Sequence, residues 1–79
     1  MINVEDRVEC IEKCDFAEVG ERGLVIDIED SHLPYLIEWD NDVSGHSGDG
    51  KGKYGYCEWV SEEHIKLIEE EYKMQDLKV

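Results

Sequence analysis

Apolar side chains in this chain recur at every second position, in short runs broken by glycine and polar residues. That spacing marks half-buried β-strands, in which successive side chains point to opposite faces. Over residues 7–13 it puts Val8 and Cys10 on one side, with Arg7, Glu9, Ile11 and Lys13 on the other. Leu24, Ile26 and Ile28 then alternate with Val25, Asp27 and Glu29, and Tyr35, Ile37 and Trp39 alternate with Leu36, Glu38 and Asp40. A fourth run covers 54–60, with Tyr56 on one face and Cys57 and Trp59 near or on the other; Gly55 permits a bulge there.

The connections are of two kinds. Residues 15–23, with Gly20 and Gly23, read as a loop, and 31–34 as a short turn around the single proline, Pro34. Residues 41–53 are polar and carry Gly45, Gly48, Gly50 and Gly52, a long loop by hairpin standards. After it, Ser61-Glu62-Glu63-His64 suits a helix start, and Ile65, Ile68 and Tyr72 fit helical spacing. Ile65 and Leu67 also fit a short strand after a single 3₁₀ turn, which is the expectation here: a turn at 61–64 and a strand at 65–69. Five short strands in so small a chain point to a barrel, since closure removes edges that little else is available to cover.

Charge limits the partners. The 79 residues hold 21 acidic and 8 basic side chains, a formal net charge of -13. Nucleic-acid affinity rests on Lys and Arg displacing counterions from phosphates, so direct DNA or RNA binding is not expected. Nor is docking to an anionic membrane leaflet. No apolar run approaches the roughly 20 residues that cross a bilayer. The start, Met1-Ile2-Asn3-Val4-Glu5, lacks the basic and then apolar stretches of a signal peptide, and a cytoplasmic protein is expected. The three cysteines, an odd number, are then expected to be thiols, buried or metal-bound.

One pattern goes further: Asp6-Arg7-Val8, Gly23-Leu24-Val25, Tyr35-Leu36-Ile37-Glu38-Trp39-Asp40, Gly45-His46, Gly50-Lys51-Gly52-Lys53, Gly55-Tyr56-Cys57 and Trp59-Val60. It resembles small SH3-like β-barrel proteins of phages and prophages, over roughly residues 6–69. The resemblance implies a mainly β, five-stranded SH3-like barrel with a long Gly-rich loop and a short C-terminal turn or helix. It implies one domain over 1–79, with its core at 6–69 and a tail at 70–79. Some small acidic phage proteins of this size are anti-CRISPR inhibitors that bind Cas9, and at least one carries zinc. The host cytoplasm would then be the compartment.

Among chemical groups, a metal is the first to weigh. Small scaffolds often need a staple, and His46 and Cys57 bracket the glycine loop. Cys14 is the third candidate zinc ligand, with Asp40, Asp42 and His32 available to complete the set. Cys10 shares a face with Val8 and reads as core; in an extended strand four residues span about 13 Å, too far for one ion to join Cys10 and Cys14 unless the strand turns near Lys13. Against the metal stands the plain reading of Cys10 and Cys57 as small buried hydrophobes and His46 as a loop residue. The run from Asp40 imitates a calcium loop, but its twelfth position is Lys51 where an EF-hand needs glutamate. Gly48-Asp49-Gly50-Lys51 lacks the helix of a phosphate cradle. A Cys57–His pair lacks the neighbouring positive charge that lowers a thiol pKa. No enzyme is expected.

What remains is a binding protein. A thin core cannot hold all seven Phe, Trp and Tyr side chains, so Trp59 or Tyr54 is expected at the surface, where aromatics serve as hot spots. The expected function is non-catalytic: inhibition of a host nucleic-acid-handling protein, in the first place a Cas9-type effector, by occupying a basic surface. Glu62, Glu63, Glu69, Glu70, Glu71 and Trp59 are the expected contact residues of a monomer. The alternatives are an SH3-like adaptor for a peptide or a small structural zinc protein.

Overall fold

The structure is a computed structural model and describes residues 2–68. Five strands form: β1 (Arg7–Cys10), β2 (Arg22–Ile28), β3 (Tyr35–Trp39), β4 (Cys57–Val60) and β5 (Ile65–Leu67), with one 3₁₀ turn at Glu62–His64. They make a single antiparallel sheet in the order β4-β3-β2-β1-β5. The protein is thus mainly β, one open sheet with β4 and β5 at its two edges.

Residues directly opposite one another across a sheet share a face, so the register sorts the side chains. The front face carries the rows Val8–Gly23–Trp39 and Val25–Ile37–Glu58, together with the pairs Cys10–Ile65 and Tyr35–Val60. Val8, Cys10, Val25, Ile37, Trp39, Val60 and Ile65 pack there with Ile2, Cys14 and Ala17 into the main core. The rear face carries Leu24–Glu38–Cys57 and Leu36–Trp59. Gly23 lets the indole of Trp39 come close to β2, since a Cβ at Gly23 would stand 2.9 Å from Trp39 Cε3 and 2.8 Å from the carbonyl oxygen of Glu38.

Three strand expectations change. β1 ends at Cys10 rather than Lys13, because the chain turns there to hydrogen-bond elsewhere: Ile11 N–H and Glu12 N–H both donate to the carbonyl of His64. In β2 the fully buried residue is Val25, while Leu24 and Ile26 are half-buried and Ile28 is exposed. A register shift between Val25 and Asp27 resets the alternation midway. β4 begins only at Cys57; residues 54–56 form a turn around Gly55, whose φ of 93° falls in the left-handed region that glycine tolerates. At the other end, the expected turn and strand both form. Ser61 makes no side-chain cap bond of a helix start, and its hydroxyl pairs with His64 Nδ1 at 2.6 Å. The strand ends at Leu67, with Ile68 outside it, while residue 69 and the tail at 70–79 lie outside the described residues.

Candidate functional site

Two loops cover the sheet, and they do so by different chemistry. The loop over residues 11–21 folds against the front face. Its base is tied to β1 by Cys10 N–H donating to Glu21 O at 2.8 Å and Gly20 N–H donating to Cys10 O at 2.8 Å. Its tip is held by Glu58, a carboxylate only 2% exposed in the middle of the core. Glu58 accepts from Ala17 N–H at 2.8 Å, Phe16 N–H at 3.2 Å and the indole Nε1–H of Trp39 at 3.0 Å. Burying a carboxylate is costly unless its lone pairs are used, and here three N–H donors use them.

The loop over residues 41–56 folds against the rear. His46 pairs with Cys57 through both main-chain bonds, at 2.9 Å and 3.0 Å, which extends the sheet beyond β4 by one bridge. Lys53 N–H donates to Glu38 Oε2 at 2.8 Å. Contact depends on glycine: a Cβ at Gly52 would sit 2.5 Å from Cys57 Sγ, and one at Gly48 would sit 2.5 Å from Leu36 Cδ2. Lys51 reaches back to Asp27 and draws that carboxyl below its usual range, mainly through the hydrogen bond.

Where the front loop, the 31–34 turn and the 3₁₀ turn meet, a shallow cleft of about 40 Å³ opens, lined by Cys14, Asp15, Leu33, Trp59, Val60 and His64 over the buried Glu58. Asp15, Glu62 and Glu63 are exposed and Trp59 is half-buried. Exposed apolar side chains lie on the same loop: Phe16, 42% exposed, edge-on to the His46 ring at 6.4 Å, and Val19 at 61%. Tyr54 stands out at 80% exposure on the rear loop. The acidic contact residues Glu69, Glu70 and Glu71 lie outside the described residues.

The candidate zinc ligands are dispersed. Cys14 is buried in the front core, its Sγ 3.6 Å from Cys10 Sγ. Cys57 is buried on the rear, its Sγ facing Gly52 and 3.5 Å from Lys53 O. His46 is beside Cys57 through its main chain, but its Nδ1 accepts from Gly48 N–H at 2.8 Å. Of the completing residues, Asp40 is held by Arg7, Asp42 Oδ1 accepts from Ser44 N–H at 2.8 Å, and His32 is exposed. Among the described residues no three His, Cys, Asp or Glu side chains gather around a common point. Burial, then the neighbouring Glu38 carboxylate, raises the Cys57 thiol above its ordinary range. Cys14 is raised further, first by burial and then by Cys10, Glu58 and Asp15.

Glu58 is the site residue that reading the strand as Tyr56 against Cys57 and Trp59 passes over. The signal was present: counting back by two from Val60 puts Glu58 inward.

Ion pairing shapes the surface. Arg7 grips Asp40 with both guanidinium nitrogens, at 2.8 Å and 2.6 Å, Arg22 lies 3.5 Å from Glu9, and Lys13 lies 3.6 Å from Glu18. Lys53 stacks over the ring of Tyr56 at 4.5 Å. Among the described residues no helix is long and apolar enough to cross a membrane. Comparison with protein-family models, with curated proteins and with solved structures finds no match for this chain.

Proposed function

We propose that this chain is a non-catalytic docking module of SH3-like build whose acidic surface engages a basic protein surface. The partner is a protein that handles nucleic acid, a Cas9-type effector being the case that fits the resemblance to small phage proteins, and occupying its basic groove inhibits it. One observation carries the reading: Arg7, Lys13, Arg22 and Lys51 are each within ion-pair distance of a carboxylate of this same chain. Glu58 apart, the acidic excess among the described residues is therefore carried at the surface. Complementary potentials speed encounter and fix register. The SH3-like build is supported by five short antiparallel strands, by a 3₁₀ turn before the last one, and by that strand's return to pair beside the first.

The test is competition on a purified Cas9-type effector. The protein is expected to bind the effector free of guide RNA and to be displaced as guide RNA is added. Reversing Asp15, Glu62 and Glu63 together to lysine is expected to weaken binding at least tenfold, the order of two to three exposed charge pairs at low salt. Binding unchanged by the triple reversal and indifferent to guide RNA would remove the proposal.

A second reading has an observation of its own, the cleft beside Trp59. An adaptor gripping a peptide there would lose affinity on Trp59→Ala and keep it through the charge reversals.

A further inference from the structure

Cys10 and Cys14 bring their sulfurs to 3.6 Å, van der Waals contact, with both side chains in the front core. The contact exists because β1 stops at Cys10 and the chain doubles back, so that Cys14 N–H donates to Ala17 O at 3.1 Å and both thiols face the carbonyl of Glu12. Bond formation requires the sulfurs to close from 3.6 Å to about 2.05 Å. Cys14 also lines the cleft, the side from which a small molecule would approach the pair. Cys57 has no part in this, being packed under Gly52 on the rear face.

We infer that Cys10 and Cys14 are a dithiol oxidation site, with Cys14 as the sulfur that meets hydrogen peroxide from the cleft and Cys10 as the sulfur that resolves it. In the first step the Cys14 thiolate attacks one peroxide oxygen; the S–O bond forms as the O–O bond breaks, and the departing hydroxide takes a proton to become water. In the second, the Cys10 thiolate attacks the Cys14 sulfur. The S–S bond forms as the S–O bond breaks, and a second water leaves. Two thiols have lost two protons and two electrons, and one peroxide has become two waters. Burial, then Cys10 and the carboxylates of Glu58 and Asp15, raise the Cys14 thiol above its ordinary range, which slows the first step. The bridge would fasten the start of the front loop, which carries Asp15 and Phe16, to the end of β1.

The test uses the folded full chain exposed to hydrogen peroxide, then alkylated in denaturant and digested with trypsin. Trypsin cuts after Lys13, between the two cysteines, so residues 8–13 and 14–22 are expected to leave as one linked species that reductant separates. Cys57 is expected to take the alkylating label, and Cys57→Ser is expected to leave the linked species intact. Links through Cys57, or sulfinic and sulfonic acid at Cys14 with Cys10 still alkylated, would overturn the inference. The mapping on the unsubstituted chain decides this whether or not a cysteine variant folds.

Discussion

The front and rear loops solve the same problem, closing a thin sheet against water, with opposite means. The front loop is anchored by polar chemistry inside the core, where Glu58 gathers two main-chain N–H groups and the Trp39 indole. The rear loop, beside its bonds to Cys57, Glu38 and Asp27, depends on close approach, glycines at 48 and 52 lying where any side chain would collide. A buried carboxylate with its donors in place is specific and fragile, because each donor loses its partner at once. A glycine contact fails more gradually, as neighbours give way. In a chain with a net charge of -13, the front solution also moves one acid off the surface and makes it structural.

The largest expected effect breaks the front. Glu58→Ala strips the acceptor from three buried donors and is expected to cost about 3 kcal/mol in urea unfolding, with Trp39 emission shifting as its indole loses its partner. Glu58→Gln keeps one acceptor oxygen and is expected to cost about half as much, by the same reasoning on buried donors. Next comes the rear: Gly52→Ala forces Cys57 and Ile26 aside and is expected to cost about 2 kcal/mol. Gly50→Ala sharpens the point. Its Cβ meets nothing within 4 Å, and the φ of 87° alone is expected to cost about 1 kcal/mol. Gly52 has no positive φ, so a cost at 52 no larger than that at 50 would show that close contact does not set the rear loop.

The smallest effect concerns the surface clamp between β1 and the end of β3. The Arg7 guanidinium, first by hydrogen bonding, holds Asp40 below the usual carboxylate range. A lowered folded pKa means stability that is present above the unfolded value, about 4, and lost as pH falls through the folded value. Asp40→Asn is therefore expected to cost under about 1 kcal/mol at pH 7, as exposed pairs do. The gap between variant and parent should close in acid melts as pH falls below the usual carboxylate range.

How much of this could be read from the chain follows from which residues obey a simple period. Tyr35, Ile37 and Trp39 lie on one face as their alternation requires, and Ser61–His64 turns before a strand because Ile65 and Leu67 keep period two. β2 departs from one continuous alternation because its register shifts between Val25 and Asp27, so that Ile28 pairs with Tyr35 on the front face although Leu24 pairs with Glu38 on the rear. The separation of Cys10 from Cys14 rested on a strand running to Lys13. The strand's actual end at Cys10 is fixed by hydrogen bonds to His64, far along the chain and invisible to local pattern. Glu58 was hidden by its charge: an acid in a strand reads as outward, and only the donors of residues 16, 17 and 39, brought by tertiary folding, make the inward position tolerable. The acidic excess was legible from counting alone, but a cleft that brings Asp15 together with Trp59 over the buried Glu58 was not.

The docking proposal meets its most direct test in the salt dependence of affinity for a guide-free Cas9-type effector, measured from low to physiological ionic strength. The account predicts a steep loss of affinity across that range, and a shallower one when Asp15, Glu62 and Glu63 are reversed, since fewer charges remain to be screened. A flat response for the unsubstituted protein, or no binding at the lowest salt, would contradict it.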